Sequence, residues 1–364
     1  MEHGIVMSGR GRKKNFMWPS IARLRDGRLI AVSSGFRMKH VCPFGKVAAS
    51  ISKDDGKSWS KPFVLFDTPL DDRDAGVTPF RGGFVLTTFN NTRLFQKKCE
   101  EKWEYPPSER KLIDEYLATV SDADEGKYFG SLYAVFDGDC NLQHWGKLPV
   151  TSPHGFTQTR GGKLLYVGRN FYHEDVTGAE CDEENRIGCI STGDCVSFSD
   201  PVWIPLPKKE KEDGVLFCEP HALELADGRI LVHIRAQKEG LFSIYQCYSE
   251  DGGKSFSVPE RISVGEEEFH GSPPHLLLTK SGKIVLTYGR RIAPFGQRAR
   301  ISEDGGKSWS KEIILRSDGD GWDLGYPASA ELCDGEILTV YYQRSEKTGG
   351  QAIWFTKWNI EEEL

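Results

Sequence analysis

The sequence predicts an all-β chain, a six-bladed β-propeller formed as a single domain over residues 1–364. Three observations predict it: a short hairpin motif that recurs almost letter for letter, a longer strand–turn–strand repeat, and the even spacing of that repeat along the chain.

The short motif runs Ser52, Asp54, Gly56, Trp59, then Ser249, Asp251, Gly253, Phe256, then Ser302, Asp304, Gly306, Trp309. Each copy follows a β-rich run. The aspartate can accept backbone N–H groups within the turn, the glycine supplies a positive φ where the chain reverses, and the aromatic ring folds back over the loop. These hairpins are expected to be structural, at outer turns away from the ring's axis.

The longer repeat begins at Pro19 and turns at Asp26-Gly27. It recurs from Pro220 with a turn at Asp227-Gly228, and from Pro327 with a turn at Asp334-Gly335. Looser copies turn at Gly82-Gly83, Gly161-Gly162 and Ser281-Gly282. Six turns spaced about fifty to eighty residues apart are the expected count for six blades of four short strands. The run from Gln351 to Ile360 reads as a strand, and the N-terminal residues are expected to complete the last blade, which removes an exposed edge.

Two intervals are longer and hold insertions. Between the second and third turns, Pro106-Pro107-Ser108 followed by Leu112, Ile113, Tyr116 and Leu117 predicts a short helix within the second blade. Between the third and fourth, the acidic stretch from His173 to Asn185 predicts a loop.

The composition excludes several functions. A net charge of −6 argues against non-specific nucleic-acid binding. No apolar run approaches the length of a membrane span. No glycine-rich phosphate loop and no Cys/His cluster with zinc spacing is present, so neither cofactor nor metal is expected. The start Met1-Glu2-His3 lacks the pattern of a secretory signal. With nine cysteines, an odd count, reduced thiols in a cytoplasmic protein are expected.

In its hairpins and blade repeat the chain resembles the sialidase (neuraminidase) superfamily, whose propellers carry this Asp-box motif. The resemblance covers nearly the whole chain and implies carbohydrate chemistry at one mouth of the propeller. Members bind a substrate carboxylate with three arginines, whose guanidinium forks match it bidentately. They attack the sugar with a tyrosine activated by a glutamate, and use an aspartate as acid and base.

On that pattern, Glu219 opens the fourth hairpin, Arg235 closes it, and Tyr326 opens the sixth where the family places its nucleophile. The fifth blade offers Arg291 or Arg298, with Arg290 beside them, and Arg37 corresponds to a supporting arginine. Two positions depart from the family: Met17 stands where the first triad arginine is usual, and the loop Met38 to Pro43 carries no carboxylate. Asp74, in the run Asp71-Asp72-Arg73-Asp74, and His40 are therefore the candidates for acid/base, with His154 and His221 as further rim histidines alongside His270 and His275. Trp18, Trp322 and Phe36 fall near the same loops.

The expected function is a glycoside hydrolase that removes a terminal acidic sugar from a glycan, its partner being that glycan or a small sugar. Two other readings remain open on the same scaffold: a lyase or non-sialidase glycosidase acting on uronic acids, and a non-catalytic glycan-binding propeller.

Overall fold

In the computed structural model, residues 1–171, 186–263 and 271–364 are described. The loop expected at 173–185, together with His270 and Cys181, lies outside the described residues.

The architecture is a six-bladed β-propeller, each blade an antiparallel sheet. The innermost strands are Asn15–Arg23 in blade one, Arg73–Phe80 in blade two, Leu216–Glu224 in blade four, Ser272–Leu278 in blade five and Gly325–Glu331 in blade six. Blade three has a broken inner edge, with Val150–Thr151 and Thr157–Gln158 both pairing with Leu164–Asn170. The N-terminal strand Glu2–Met7 pairs with Gln351–Trp358 as the outermost strand of blade six. The ring is thus closed by both ends of the chain, as expected.

Six clusters of buried apolar residues fill the six seams between blades. The Asp-box hairpins serve this packing. Asp251 accepts the backbone N–H groups of Lys254 and Ser255, both at 2.9 Å, which fixes the turn. The motif's ring then packs into the seam with the preceding blade: Trp59 into that of blades six and one, Phe256 into that of three and four, Trp309 into that of four and five. A fourth copy, one residue shorter, stands in blade three, where Asp194 accepts from Val196 and Ser197 at 2.9 and 2.8 Å and Phe198 packs into the seam with blade two.

The insertion in blade two holds three helices where one was expected. Arg93–Lys102 is capped by Thr92, Pro107–Leu117 begins with a proline in its first turn, and Asp122–Tyr128 opens with a reciprocal capping box between Ser121 and Asp124. Ile113 and Leu117 pack with Met38, Cys42, Phe44 and Tyr105, so the second of these helices is clamped onto the loop of blade one.

Candidate active site

Five inner strands carry a β-bulge at the same end, and in four of them a residue within the bulge has left-handed backbone. These are Trp18 (φ 51°), Asp74 (φ 46°), Glu219 (φ 46°) and Tyr326 (φ 50°). Each stands nine residues before its blade's turn glycine. Side-chain-bearing residues adopt this conformation at a cost of about 1–2 kcal/mol, and the four stand at equivalent positions on one rim. Three are followed by proline, which needs no ladder hydrogen bond at a bulge.

Glu219, Tyr326 and Arg235 form one hydrogen-bonded unit. The Tyr326 hydroxyl donates to Glu219 Oε1 at 2.5 Å, and Arg235 pairs with Glu219 Oε2. Arg235 also reaches the Tyr326 oxygen at 3.4 Å and donates to Gln237 at 2.5 Å. The Arg291 guanidinium lies 5.4 Å from the Tyr326 ring centroid and is anchored by the Leu324 carbonyl at 3.1 Å. Burial alone would raise the Glu219 carboxyl, but Arg235, the Tyr326 hydrogen bond and Arg291 outweigh it and hold the group below the usual glutamate range. Burial, together with the charges of Glu219 and Asp74, pushes the Tyr326 phenol well above its ordinary value.

Asp74 behaves in the opposite sense. It is 7% exposed, its Oδ1 has no hydrogen-bond partner, and burial, aided by the nearby Glu219 charge, raises its carboxyl to about 7 against the pull of Arg73, Arg37 and Arg235. Asp74 and Glu219 line one cleft of about 300 Å³. Asp74 thus holds its proton to a higher pH than Glu219, an arrangement that would suit a proton donor beside an ionised partner.

The rest of the cleft comes from neighbouring blades and from the insertion. His40 and Arg73 line it, with Phe89 and Arg169 on the wall and Phe95 and Trp103 supplied by the first inserted helix and its cap. His40 Nδ1 lies 3.2 Å from Asp323 Oδ1, and its ring meets Trp18 edge-to-face at 5.0 Å. Burial lowers the His40 imidazole despite the Asp323 contact.

Several expected residues stand elsewhere. Arg37 does not face the cleft: it is fully buried, with Nη1 and Nη2 on Asp71 at 2.5 and 3.0 Å and Nη2 also on the His40 carbonyl at 2.9 Å. It holds the Asp71 loop to the His40 loop from below, a positioning role. Gly45 passes so close that a Cβ there would collide with Arg37 and Asp71. Arg298 is likewise turned away, paired with Glu312 at 2.9 Å and bonded to the carbonyls of Gln297, Pro294 and Arg316. Arg290 also leans toward Glu312, at 3.7 Å. Of the three candidates Arg290, Arg291 and Arg298, Arg291 is the one that approaches Tyr326.

His154 and His221 line a separate axial cavity of about 250 Å³, to which all six inner strands contribute. His221 stacks on His275 at 4.4 Å, and burial holds all three imidazoles well below their ordinary value, hence neutral. Trp18 is 1% exposed under the guanidiniums of Arg37 and Arg73, so it presents no face to a sugar, and Phe36 packs into the seam with Phe16.

Sequence reasoning missed Arg73, Arg169, Gln237 and Trp103. Arg73 directly precedes a bulge position, a readable signal; Trp103 follows a helix that was not anticipated, and the other two carry no motif.

Residues 193–339 match the profile of the BNR repeat-like domain family. Among solved structures, a Dyadobacter fermentans protein of unknown function superposes with a TM-score of 0.74 at 21% identity, covering 99% of this chain and 98% of that one. A Penicillium chrysogenum α-L-arabinanase complexed with arabinobiose gives 0.67 at 14% identity, with 100% and 99% covered. A Hadza microbial sialidase gives 0.63 at 14%, with 97% and 67% covered. No curated protein matches the chain in sequence. At these identities the likeness establishes the fold alone, a six-bladed β-propeller, within which residues 193–339 carry the BNR repeat-like match.

Proposed function

We propose that this propeller is a glycoside hydrolase that removes a terminal, acidic sugar from a glycan. The observation that carries the reading is the pairing in one cleft of a raised carboxyl, Asp74, with a depressed one, Glu219, itself hydrogen-bonded to Tyr326. Arabinanases and sialidases built on the same fold lend support.

Asp74, protonated near neutral pH, donates its proton to the glycosidic oxygen as that bond breaks. The Tyr326 oxygen attacks the anomeric carbon as its proton passes to Glu219 Oε1, which Arg235 keeps ionised beforehand. Water then attacks the glycosyl–tyrosine, giving a proton to the Asp74 carboxylate, while Glu219 returns its proton to the phenolic oxygen. Two displacements retain the anomeric configuration. The acidic-sugar preference rests on Arg73, Arg169 and Arg235 lining a cleft whose one depressed carboxyl is Glu219.

A second reading has Glu219 attack directly, with Tyr326 orienting it. It is favoured by Glu219 lining the cleft while Tyr326 is only 6% exposed. Either way, wild type should release sugar from some member of a panel of sialosides, uronides and arabinofuranosides, and Asp74→Asn and Glu219→Gln should each lose that release. A wild type inert on the whole panel would overturn the hydrolase reading.

A further inference from the structure

Trp103, which lines the cleft, and Trp322, which approaches the cleft residue His40, are 42% and 60% exposed. Trp103 follows the helix Arg93–Lys102 of blade two and lines the cleft, while Trp322 belongs to the segment that leads into blade six. Distant in sequence, they converge on one side chain: the His40 ring centroid lies 5.9 Å from that of Trp103 and 6.4 Å from that of Trp322. Neither indole N–H has a hydrogen-bond partner among the described residues.

Exposing two large indoles around one histidine forgoes hydrophobic free energy that packing would otherwise recover. A flat protein interface is a poor match for two indoles. Trp103 sits between the exposed side chains of Lys102 and Glu104, whereas a stable protein interface covers about 800 Å² on each partner. A sugar chain suits both features: its C–H faces lie on indoles, and its hydroxyls reach indole N–H groups, the imidazole and the charged rim.

We infer that Trp103 and Trp322 form an outer sugar-binding station, which holds the residues of a glycan chain beyond the terminal sugar, on the leaving-group side. The position of the terminal sugar rests on the hydrolase reading. The binding of a chain at the tryptophans does not require turnover. The substrate class follows: oligosaccharides and polysaccharide ends rather than simple glycosides.

The test uses the Glu219→Gln protein, so that no probe is consumed. Galacturonate oligomers and arabinan oligomers of one to four units, with sialic acid against sialyllactose, are titrated by calorimetry and by tryptophan fluorescence. In at least one series affinity should rise about tenfold from the single sugar to the longer chain. That gain should disappear in Trp322→Ala and in Trp103→Ala, and be largely kept in Trp322→Phe, which retains a ring. Trp322 is exposed enough that its loss leaves the fold intact, and melting curves check this for both variants. No chain-length gain in any series, or a gain kept in both alanine variants, would overturn the inference. Chain-length binding that depends on the tryptophans, in a wild type that hydrolyses nothing, would sink the hydrolase reading and leave the station standing.

Discussion

Tyr326 and Glu219, 107 residues apart in sequence and two blades apart in the ring, share a hydrogen bond of 2.5 Å. The phenol that would have to lose a proton is thus already bonded to the carboxylate that would take it. Arg235 on the other carboxylate oxygen keeps that acceptor ionised, and the left-handed backbone at both residues fixes the direction of the two side chains.

Asp74 sets the pH dependence. As a proton donor with its carboxyl raised to about 7, it should give a kcat/KM that falls as pH rises through about 7. The acid limb, set by Glu219, should lie below the usual glutamate range because that group is depressed. Asp74→Asn should remove the upper limb along with most of the activity, measured as pH–rate profiles of both proteins.

Stability should follow with a definite sign. The folded chain keeps the Asp74 proton to about pH 7, whereas the unfolded chain releases it near 3.8. Folding is therefore favoured most below the lower value and loses stability as pH rises through the higher one. Asp72, raised to about 8 by burial, acts in the same sense. Asp74→Asn should thus melt higher than wild type at pH 8 and differ little at pH 4. Equal differences at both pH values would contradict a raised Asp74.

Arg37 should matter through stability first. Its partner Asp71 has a side chain only 2% exposed, so Arg37→Met leaves a buried carboxylate with only the longer Arg73 contact at 3.5 Å. Loss of one member of such a pair costs about 3–5 kcal/mol. Asp71→Asn should be destabilising too, and the double variant should cost less than the two singles added, read from denaturant unfolding.

The Asp-box hairpins should be separable from chemistry. Asp304 accepts from the Ser308 N–H at 2.9 Å and the Ser308 hydroxyl at 2.5 Å, at an outer turn. Asp304→Ala should lower the melting temperature by a few degrees and leave kcat unchanged; a loss of kcat in a folded variant would refute a purely structural role.

The blades were legible because their turns need glycine and their hairpins need Asp, Ser and an aromatic at fixed offsets. The blade-three copy escaped because Thr192 to Phe198 is one residue short of the pattern. Of the inserted helices, Pro106-Pro107 announced one. The Ser121–Asp124 box was equally readable, whereas Arg93–Lys102 is too polar to show an apolar stripe. The rim positions of Asp74, Glu219 and Tyr326 follow from blade periodicity, since each precedes its turn glycine by the same interval. Arg37 and Arg298 could not be placed from the sequence. Both faces of a propeller strand are buried between blades, so alternation does not distinguish the cleft from a seam, and the partners Asp71 and Glu312 come from other strands or loops.

Hydrolysis of a panel of chromogenic glycosides, sialic and uronic acids included, by wild type and Tyr326→Phe decides the role of the Tyr326 and Glu219 pair. The Tyr326–Glu219 pair as the nucleophilic unit predicts release of an acidic sugar by wild type and a loss of about a thousandfold or more in a Tyr326→Phe protein that melts normally. Rates unchanged by the substitution would contradict it and leave Glu219 as the attacking group.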